Sequence, residues 1–131
     1  MEEVVIPQDH ERAYQRWKRG YPRFPGVAKC VELLRLPNIR GTMSEVIRSE
    51  LLARAPRILD DLVRAFESES DPRVNRLLLQ IIAESRLPEA VPVLGRNFYN
   101  ADGSVCGWCI TALRAIGTEE ARQALVDNGW S

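Results

Sequence analysis

The sequence predicts an all-α protein, a short α-solenoid of about three helix pairs preceded by an N-terminal helical cap. Three observations lead to this fold class. Apolar residues recur at three- and four-residue spacing, and no segment alternates apolar and polar residues between turn signals. One stretch of sequence also repeats, with Asp71 and Asp102 at the start of its two clear copies. In a solenoid such units bury their apolar faces against one another.

Length and composition indicate a single soluble domain over residues 1–131. The chain has 18 Lys+Arg and 18 Asp+Glu, and 45% of its residues are hydrophobic. A core of this size needs no disulfide or metal, and the composition excludes disordered and collagen-like proteins. No run of about 18 apolar residues occurs, and the first residues lack a secretory pattern. We therefore expect a cytoplasmic location, no membrane partner, no cofactor and no bound metal.

The balanced net charge is the sum of one basic and one acidic region of the chain. Between Arg12 and Arg40 there are eight basic residues and one acidic residue, Glu32. From Glu67 to Ser131 there are six Arg and nine acidic residues. Such a separation can steer an approaching partner, or the two regions can pair when the ends pack or when two copies associate.

Residues 1–40 are predicted to form the basic aromatic cap. Tyr14, Trp17 and Tyr21 lie three or four residues apart, as in an amphipathic helix that covers the open end of a solenoid. Basic residues interleaved with aromatic ones can also hold phosphates while stacking bases. The alternative anion or nucleic-acid strip comprises Arg12, Arg16, Trp17, Arg19, Tyr21 and Arg23. Contact with a membrane surface is the weakest of the three interpretations.

Residues 41–128 are predicted to hold the repeats. With Asp71 aligned to Asp102, apolar positions coincide along both helices of the unit. The coinciding pairs are Val74/Val105, Leu78/Cys109, Ile81/Ala112, Ile82/Leu113, Ala90/Ala121 and Leu94/Leu125. A weaker copy lies one repeat earlier, with Met43, Ile47, Leu51, Leu59 and Val63 in register. Each copy is therefore expected to contain two helices.

Capping residues indicate where these helices begin and end. Asp71 and Asp102 are suited to N-caps, because a carboxylate accepts hydrogen bonds from the orphan amides of a first turn. Gly117 suits a helix end and Thr118 the N-cap of the next helix. Proline stands where a second helix begins in the other two copies, at Pro56 and Pro88.

Residues 102–125 resemble the HEAT-like repeat of phycobilin lyases and of many small bacterial proteins. The resemblance rests on the pattern Asp-Gly-Ser-Val, then Ala-Leu-Arg-Ala-Ile-Gly-Thr-Glu-Glu-Ala, and Leu125. It extends weakly back to Thr42 and departs from the family pattern at Arg86 and Leu87, where the turn usually carries Gly. It implies a right-handed solenoid whose second helices line a concave binding face.

By this resemblance the second helices span Pro56–Phe66, Pro88–Asn97 and Thr118–Asp127. Their residues outside the apolar stripe are candidates for a partner-binding surface. These are Arg57, Asp61, Arg64, Glu89, Arg96, Asn97, Glu119, Arg122 and Gln123. The alternative is an ordinary solvated face with ion pairs between helix neighbours, such as Asp60 and Arg64.

Cys106 and Cys109 form a C-x-x-C pair, which can be redox-active at a helix N-terminus. Here no strand precedes the pair, and the repeat places Cys109 at a core position. Zinc would need further ligands, and only Cys30 and His10 remain, both far away in sequence. Packing is therefore the favoured role of these cysteines, and no catalytic residue is assigned.

The sequence thus predicts a non-enzymatic scaffold or adaptor that binds a protein partner on the concave face. An inhibitor or immunity-type partner protein would have the same features. A nucleic-acid-binding module using the N-terminal strip is the first alternative, and an accessory subunit of a lyase-type enzyme is the second. Because the end units of a solenoid leave an apolar face uncovered, homodimerisation through one end is a further expectation.

Overall fold

Every regular element that the structure describes is a helix. The computed structural model describes residues 5–37, 39, 41–98 and 103–130. Within these ranges there is no strand. The helices are α1 (Val5–Gly20), α2 (Val27–Leu34), α3 (Gly41–Ser68), α4 (Pro72–Ser85), α5 (Val91–Arg96), α6 (Gly103–Ile116) and α7 (Glu119–Asp127), with a 3₁₀ turn at Pro88–Ala90. The all-α prediction is confirmed for this part of the chain.

The chain divides into two compact units. The first comprises Met1–Arg54 and the second Ala55–Ser131. The division falls inside α3, not at residue 40, where the sequence places the end of the cap. The single domain over residues 1–131 stays a prediction.

Trp17 is the large aromatic residue in the core of the first unit. Its side chain is 3% exposed, and its ring centroid lies 4.7 Å from that of Tyr21. Its indole N–H donates a hydrogen bond to Glu50 Oε1 at 3.3 Å. The other buried residues of this unit include Ala13, Val27, Cys30, Val31, Leu34, Val46, Ile47 and Leu51. Trp17 therefore serves the packing of the first unit.

In the second unit, equivalent helices of successive repeats pack on one another. The first helices, α4 and α6, are in contact, and so are the second helices, α5 and α7. In addition α6 contacts both α5 and α7. Within this unit these helices therefore pack as a helical bundle.

The apolar positions aligned by the repeat are buried in both of its clear copies. Each of the six pairs named above is at most 4% exposed. In the weaker copy Ile47, Leu51 and Leu59 are buried, whereas Met43 and Val63 are half-buried. The pattern that predicted the repeat is therefore the pattern of the core.

The residue that follows the first helix of a repeat has a positive φ in both clear copies. Arg86 ends α4 with φ 53° and ψ 33°, in the left-handed region. Gly117, the equivalent residue of the next copy, ends α6 with φ 67°. The turn is thus kept at the place where the sequence departs from the family pattern, although arginine adopts this conformation at a cost.

The helix ends also follow the repeat. Asp71 Oδ1 accepts a hydrogen bond from the amide of Arg73 at 2.9 Å, and Thr118 Oγ1 accepts one from the amide of Ala121 at 3.1 Å. Both predicted N-caps are confirmed. The third, Asp102, lies outside the described residues.

Asn97 and Asn128 end the two second helices in the same way. Their backbone angles are φ −107°, ψ 16° and φ −103°, ψ 15°. Each side-chain amide donates at 2.8 Å to the carbonyl four residues earlier, of Val93 and Ala124 respectively. The Val93 carbonyl also accepts the backbone N–H of Asn97 at 3.2 Å, whereas the backbone N–H of Asn128 donates to the carbonyl of Leu125.

The predicted helix Pro56–Phe66 lies mostly in the second of two helices that α3 joins across a bend. The bend in α3 (Gly41–Ser68) lies at Ile58, whose φ of −122° and ψ of 15° are not helical. Pro56 causes the bend, because it lacks an N–H for the carbonyl four residues earlier and its ring crowds that carbonyl. In this copy of the repeat a bend replaces the left-handed turn.

The predicted helix Pro88–Asn97 is shorter than expected. Residues Pro88–Ala90 form a 3₁₀ turn, and α5 begins at Val91. Pro92 has no N–H to donate to the carbonyl of Pro88, and the amide of Val91 donates to that carbonyl instead. The third predicted helix corresponds to Thr118 as N-cap followed by α7.

Candidate functional site

An open groove of about 510 Å³ lies between α5 and α7 on the surface of the second unit. Its lining residues are Val91, Pro92, Gly95 and Arg96 from α5, and Glu120, Gln123, Ala124, Asp127 and Asn128 at or beside α7. A Cβ atom added at Gly95 would lie 3.6 Å from Ala124 Cβ. Small residues therefore face each other at the floor of the groove, and charged residues stand along its rim.

A second open groove, of about 240 Å³, lies between α5 and the part of α3 that follows the bend. Its lining residues are Leu59, Asp60, Val63 and Arg64 from α3, and Glu89, Pro92, Val93 and Arg96 from the 3₁₀ turn and α5. Pro92 and Arg96 line both grooves. The two grooves therefore lie on either side of α5.

The two grooves are built from equivalent positions of the repeat. A shift by one repeat, the spacing from Asp71 to Asp102, converts lining residues of the smaller groove into lining residues of the larger one. The converted pairs are Glu89/Glu120, Pro92/Gln123, Val93/Ala124, Arg96/Asp127, Asp60/Val91 and Arg64/Gly95. The repeat thus generates the groove twice, once on each side of α5.

Four of the nine predicted partner-binding residues line these grooves, namely Arg64, Glu89, Arg96 and Gln123. The other five lie outside the lining, namely Arg57, Asp61, Asn97, Glu119 and Arg122. Arg57, Asp61, Glu119 and Arg122 are exposed, while Asn97 is half-buried as the cap of α5. The sequence thus indicated the correct helices for a groove but only part of its lining.

Ion pairs hold the arginines of this face. Arg64 Nη2 lies 2.6 Å from Asp61 Oδ1, and Arg96 Nη2 lies 3.1 Å from Glu67 Oε2. Arg64 thus pairs with Asp61, three positions earlier, and not with the predicted partner Asp60, four positions earlier. Each of these exposed pairs contributes at most about 1 kcal/mol to stability, so their main effect is to orient the guanidinium groups.

Two charged lining residues, Glu120 and Asp127, were not among the candidates predicted from the sequence, and neither was Pro92. Glu89 and Glu120 are aligned by the repeat, as are Arg96 and Asp127. A shift of each candidate by one repeat would have found Glu120 and Asp127. Nothing in the sequence alone indicated that Pro92 would line both grooves.

In the first unit, some residues of the N-terminal strip are exposed and others are buried. Its arginines, Arg12, Arg16, Arg19 and Arg23, are exposed, and Tyr21 is half-buried. Trp17 is buried, with its ring against Tyr21 and its N–H on Glu50. A buried indole cannot stack on a base, so the aromatic part of the proposed nucleic-acid strip loses its largest ring.

Cys30 and Cys109 are buried and have the environment of packing residues. Burial raises the pKa of the Cys109 thiol to about 11, with a smaller contribution from Cys106. Burial also raises the pKa of Cys30 to about 12, with a smaller contribution from Glu50. Cys106 is half-buried. A raised pKa disfavours the thiolate, the reactive form of cysteine. No three His, Cys, Asp or Glu side chains in the described ranges are grouped as metal ligands.

Two apolar side chains near the C-terminus are partly open to solvent. Val126 is 59% exposed and Trp130 is 39% exposed. The ring centroid of Trp130 lies 6.3 Å from that of Phe98, so this tryptophan packs within the second unit.

Among the helices of the described residues, none combines the length and the apolar character needed to cross a membrane. Comparison with known proteins finds no matching family, no matching characterised protein and no matching solved structure. Inference about function therefore rests on the geometry of the two units.

Proposed function

We propose that the protein is a non-enzymatic interaction module that binds a segment of a partner protein along the second-helix face of its second unit. The observation that carries this proposal is the equivalence of the two grooves under a shift by one repeat. A repeated groove offers a polypeptide two similar subsites in a row, as repeat proteins do along their binding faces.

The packing of the second unit supports the finer part of the proposal, a right-handed HEAT-like solenoid. α4 contacts α6 and α5 contacts α7, which is the stacking of like helices that solenoid repeats require. The shared left-handed turns at Arg86 and Gly117 and the shared caps at Asn97 and Asn128 support it further. In such an array the second helices form the face on which partners bind.

The chemistry of the grooves favours contact over catalysis. Their lining side chains are aliphatic groups, carboxylates, guanidinium groups and amides. Neither lining includes a cysteine, a histidine or a hydroxyl group, the side chains that serve most often as nucleophile or base. Apolar floors with charged rims are typical of sites that hold a peptide.

A peptide-display experiment tests the proposal. A library of random 12-residue peptides is selected on the full chain, and the affinity of each binder is then measured by fluorescence anisotropy. The test variant is Gly95→Leu, which fills the floor of the larger groove. Its control is Gly107→Leu, the same change at an exposed helical site of α6 where an added Cβ meets nothing within 4 Å.

We expect peptides that bind the unmodified chain and the Gly107→Leu variant equally well and bind the Gly95→Leu variant at least about tenfold more weakly. Circular dichroism of both variants verifies that they are folded. The proposal fails if selected peptides bind Gly95→Leu as well as they bind the unmodified chain, or if no peptide is selected.

A further inference from the structure

We infer that the segment bound in these grooves is basic, with Lys or Arg side chains interspersed among apolar ones. This inference rests on the proposed function and adds the chemistry of the partner. It follows from the charges on the groove rims, from what already neutralises them, and from the spacing of the grooves.

The arginines of the rim are already paired with acids outside the groove linings. Arg64 is held by Asp61 at 2.6 Å and Arg96 by Glu67 at 3.1 Å. Their positive charges are therefore largely offset before any partner arrives. An acidic partner would have to compete with both pairs.

The carboxylates of the rims are not neutralised in this way. Asp60, Glu89 and Glu120 are exposed and make no ion pair with any residue that the structure describes. Asp127 accepts a hydrogen bond from the neutral amide of Gln123 at 2.8 Å. The rims therefore present four carboxylates against two arginines that are already paired, and a basic segment complements this charge.

The floors of the grooves determine the rest of the segment. Val63, Pro92 and Ala124 are at least partly exposed and contribute apolar surface, which only apolar side chains cover favourably. Packed helices lie about 8–10 Å apart, so the two grooves on either side of α5 are separated by roughly that distance. In a polyproline II segment, residues three positions apart lie on the same face and are about 9 Å apart along the chain. Apolar residues three positions apart, with basic residues between them, fit both grooves at once.

A fluorescein-labelled peptide of sequence Lys-Leu-Ala-Lys-Leu-Ala-Lys-Leu-Ala-Lys-Leu serves as the probe. The comparison peptide replaces every Lys by Glu. Binding to the full chain is measured by anisotropy at about 50 mM and about 300 mM NaCl, because screening weakens exposed charge contacts. We expect the Lys peptide to bind more tightly than the Glu peptide and to lose affinity at the higher salt concentration.

Glu120→Gln and Glu119→Gln provide the matched pair of variants. Both remove one negative charge, but Glu120 lines the groove and Glu119 pairs with Arg122 outside it. We expect Glu120→Gln to weaken Lys-peptide binding about two- to fivefold and Glu119→Gln to leave it unchanged. Adding Glu89→Gln to Glu120→Gln should weaken binding about fourfold or more in total.

The inference is overturned if the Glu peptide binds as tightly as the Lys peptide, or if Glu119→Gln weakens binding as much as Glu120→Gln. If the library binders are acidic or uncharged and are still lost in Gly95→Leu, the inference fails while the proposed function stands. If no binding depends on Gly95, both fail. Self-association of the chain that Glu120→Gln abolishes would make a second copy the occupant and would also overturn the inference.

Discussion

The backbone of Arg86 adopts an unfavourable conformation, and replacement of this residue by glycine should stabilise the protein. With φ 53° and ψ 33°, its backbone lies in the left-handed region, which costs a residue with a side chain about 1–2 kcal/mol. Glycine removes this cost but loses about 0.4–1 kcal/mol through the greater freedom of the unfolded chain. The net expected gain is about 0.5–1 kcal/mol.

Gly117→Ala is the opposite change at the equivalent position. A Cβ there would lie 3.7 Å from the carbonyl oxygen of Arg114, an ordinary contact, so its cost is conformational and not steric. The free energy of unfolding should therefore fall by about the amount that Arg86→Gly adds. Arg86→Ala keeps the backbone cost while removing the guanidinium group, and it should leave stability nearly unchanged.

Urea denaturation followed by circular dichroism measures all three variants. With a slope of about 1.5 kcal/mol per M, the midpoint should rise about 0.3–0.7 M for Arg86→Gly and fall by a similar amount for Gly117→Ala. A lower midpoint for Arg86→Gly would refute the reasoning. A gain in Arg86→Ala equal to that in Arg86→Gly would also refute it, because it would assign the effect to the guanidinium group.

The remaining predictions concern the core, the thiols and the N-terminal strip. Trp17→Ala should destabilise the first unit by about 3–5 kcal/mol in urea denaturation, and a loss below about 1 kcal/mol would contradict the burial of this ring. Ellman's reagent at about pH 8 should label Cys106 rapidly and Cys30 and Cys109 only on unfolding, whereas three rapid thiols would contradict their burial. The free energy of unfolding should fall from about pH 9 towards pH 11–12, because the thiols ionise in the unfolded chain first, and Cys30→Ala/Cys109→Ala should reduce this fall. A (dT)20 oligonucleotide in about 150 mM salt should bind no more tightly than about 10 μM, and a submicromolar, salt-dependent affinity would favour the N-terminal strip instead.

The buried positions of the second unit could be predicted from the sequence because they depend on local periodicity. Val74 and Val105, or Leu78 and Cys109, occupy one stripe of a helix, and a stripe of this kind must be buried wherever the helix packs. The N-caps Asp71 and Thr118 were predictable for the same reason, since a cap depends on residues within one turn.

The turns and bends were harder to predict because tertiary packing overrides local preference. Arginine is a poor residue for a left-handed turn, yet Arg86 adopts one between two packed helices. The local sequence around Pro56 indicates a helix start, whereas the bend that joins the two helices of α3 lies two residues later, at Ile58. Local signals do not distinguish these outcomes, since both depend on what the flanking helices bury.

The grooves depend on distances between helices, which a single sequence does not contain. The sequence indicated the second helices and four lining residues. It did not indicate how closely α5 and α7 approach each other, which depends on the contact between Gly95 and Ala124. Trp17 illustrates the same limit, because its spacing suited both a core and a stacking surface. Its burial and its hydrogen bond to Glu50, which is distant in sequence, place Trp17 in the core.

Chemical-shift mapping tests the central claim most directly, because it locates a bound peptide on the chain. The ¹H–¹⁵N correlation spectrum of the ¹⁵N-labelled full chain is recorded while an unlabelled, library-selected peptide is added. The claim predicts that the largest, saturable shifts fall on amides of α5 and α7, including Gly95 and Gln123. Largest shifts on α1, or on α4 and α6 without change in α5 and α7, would contradict it.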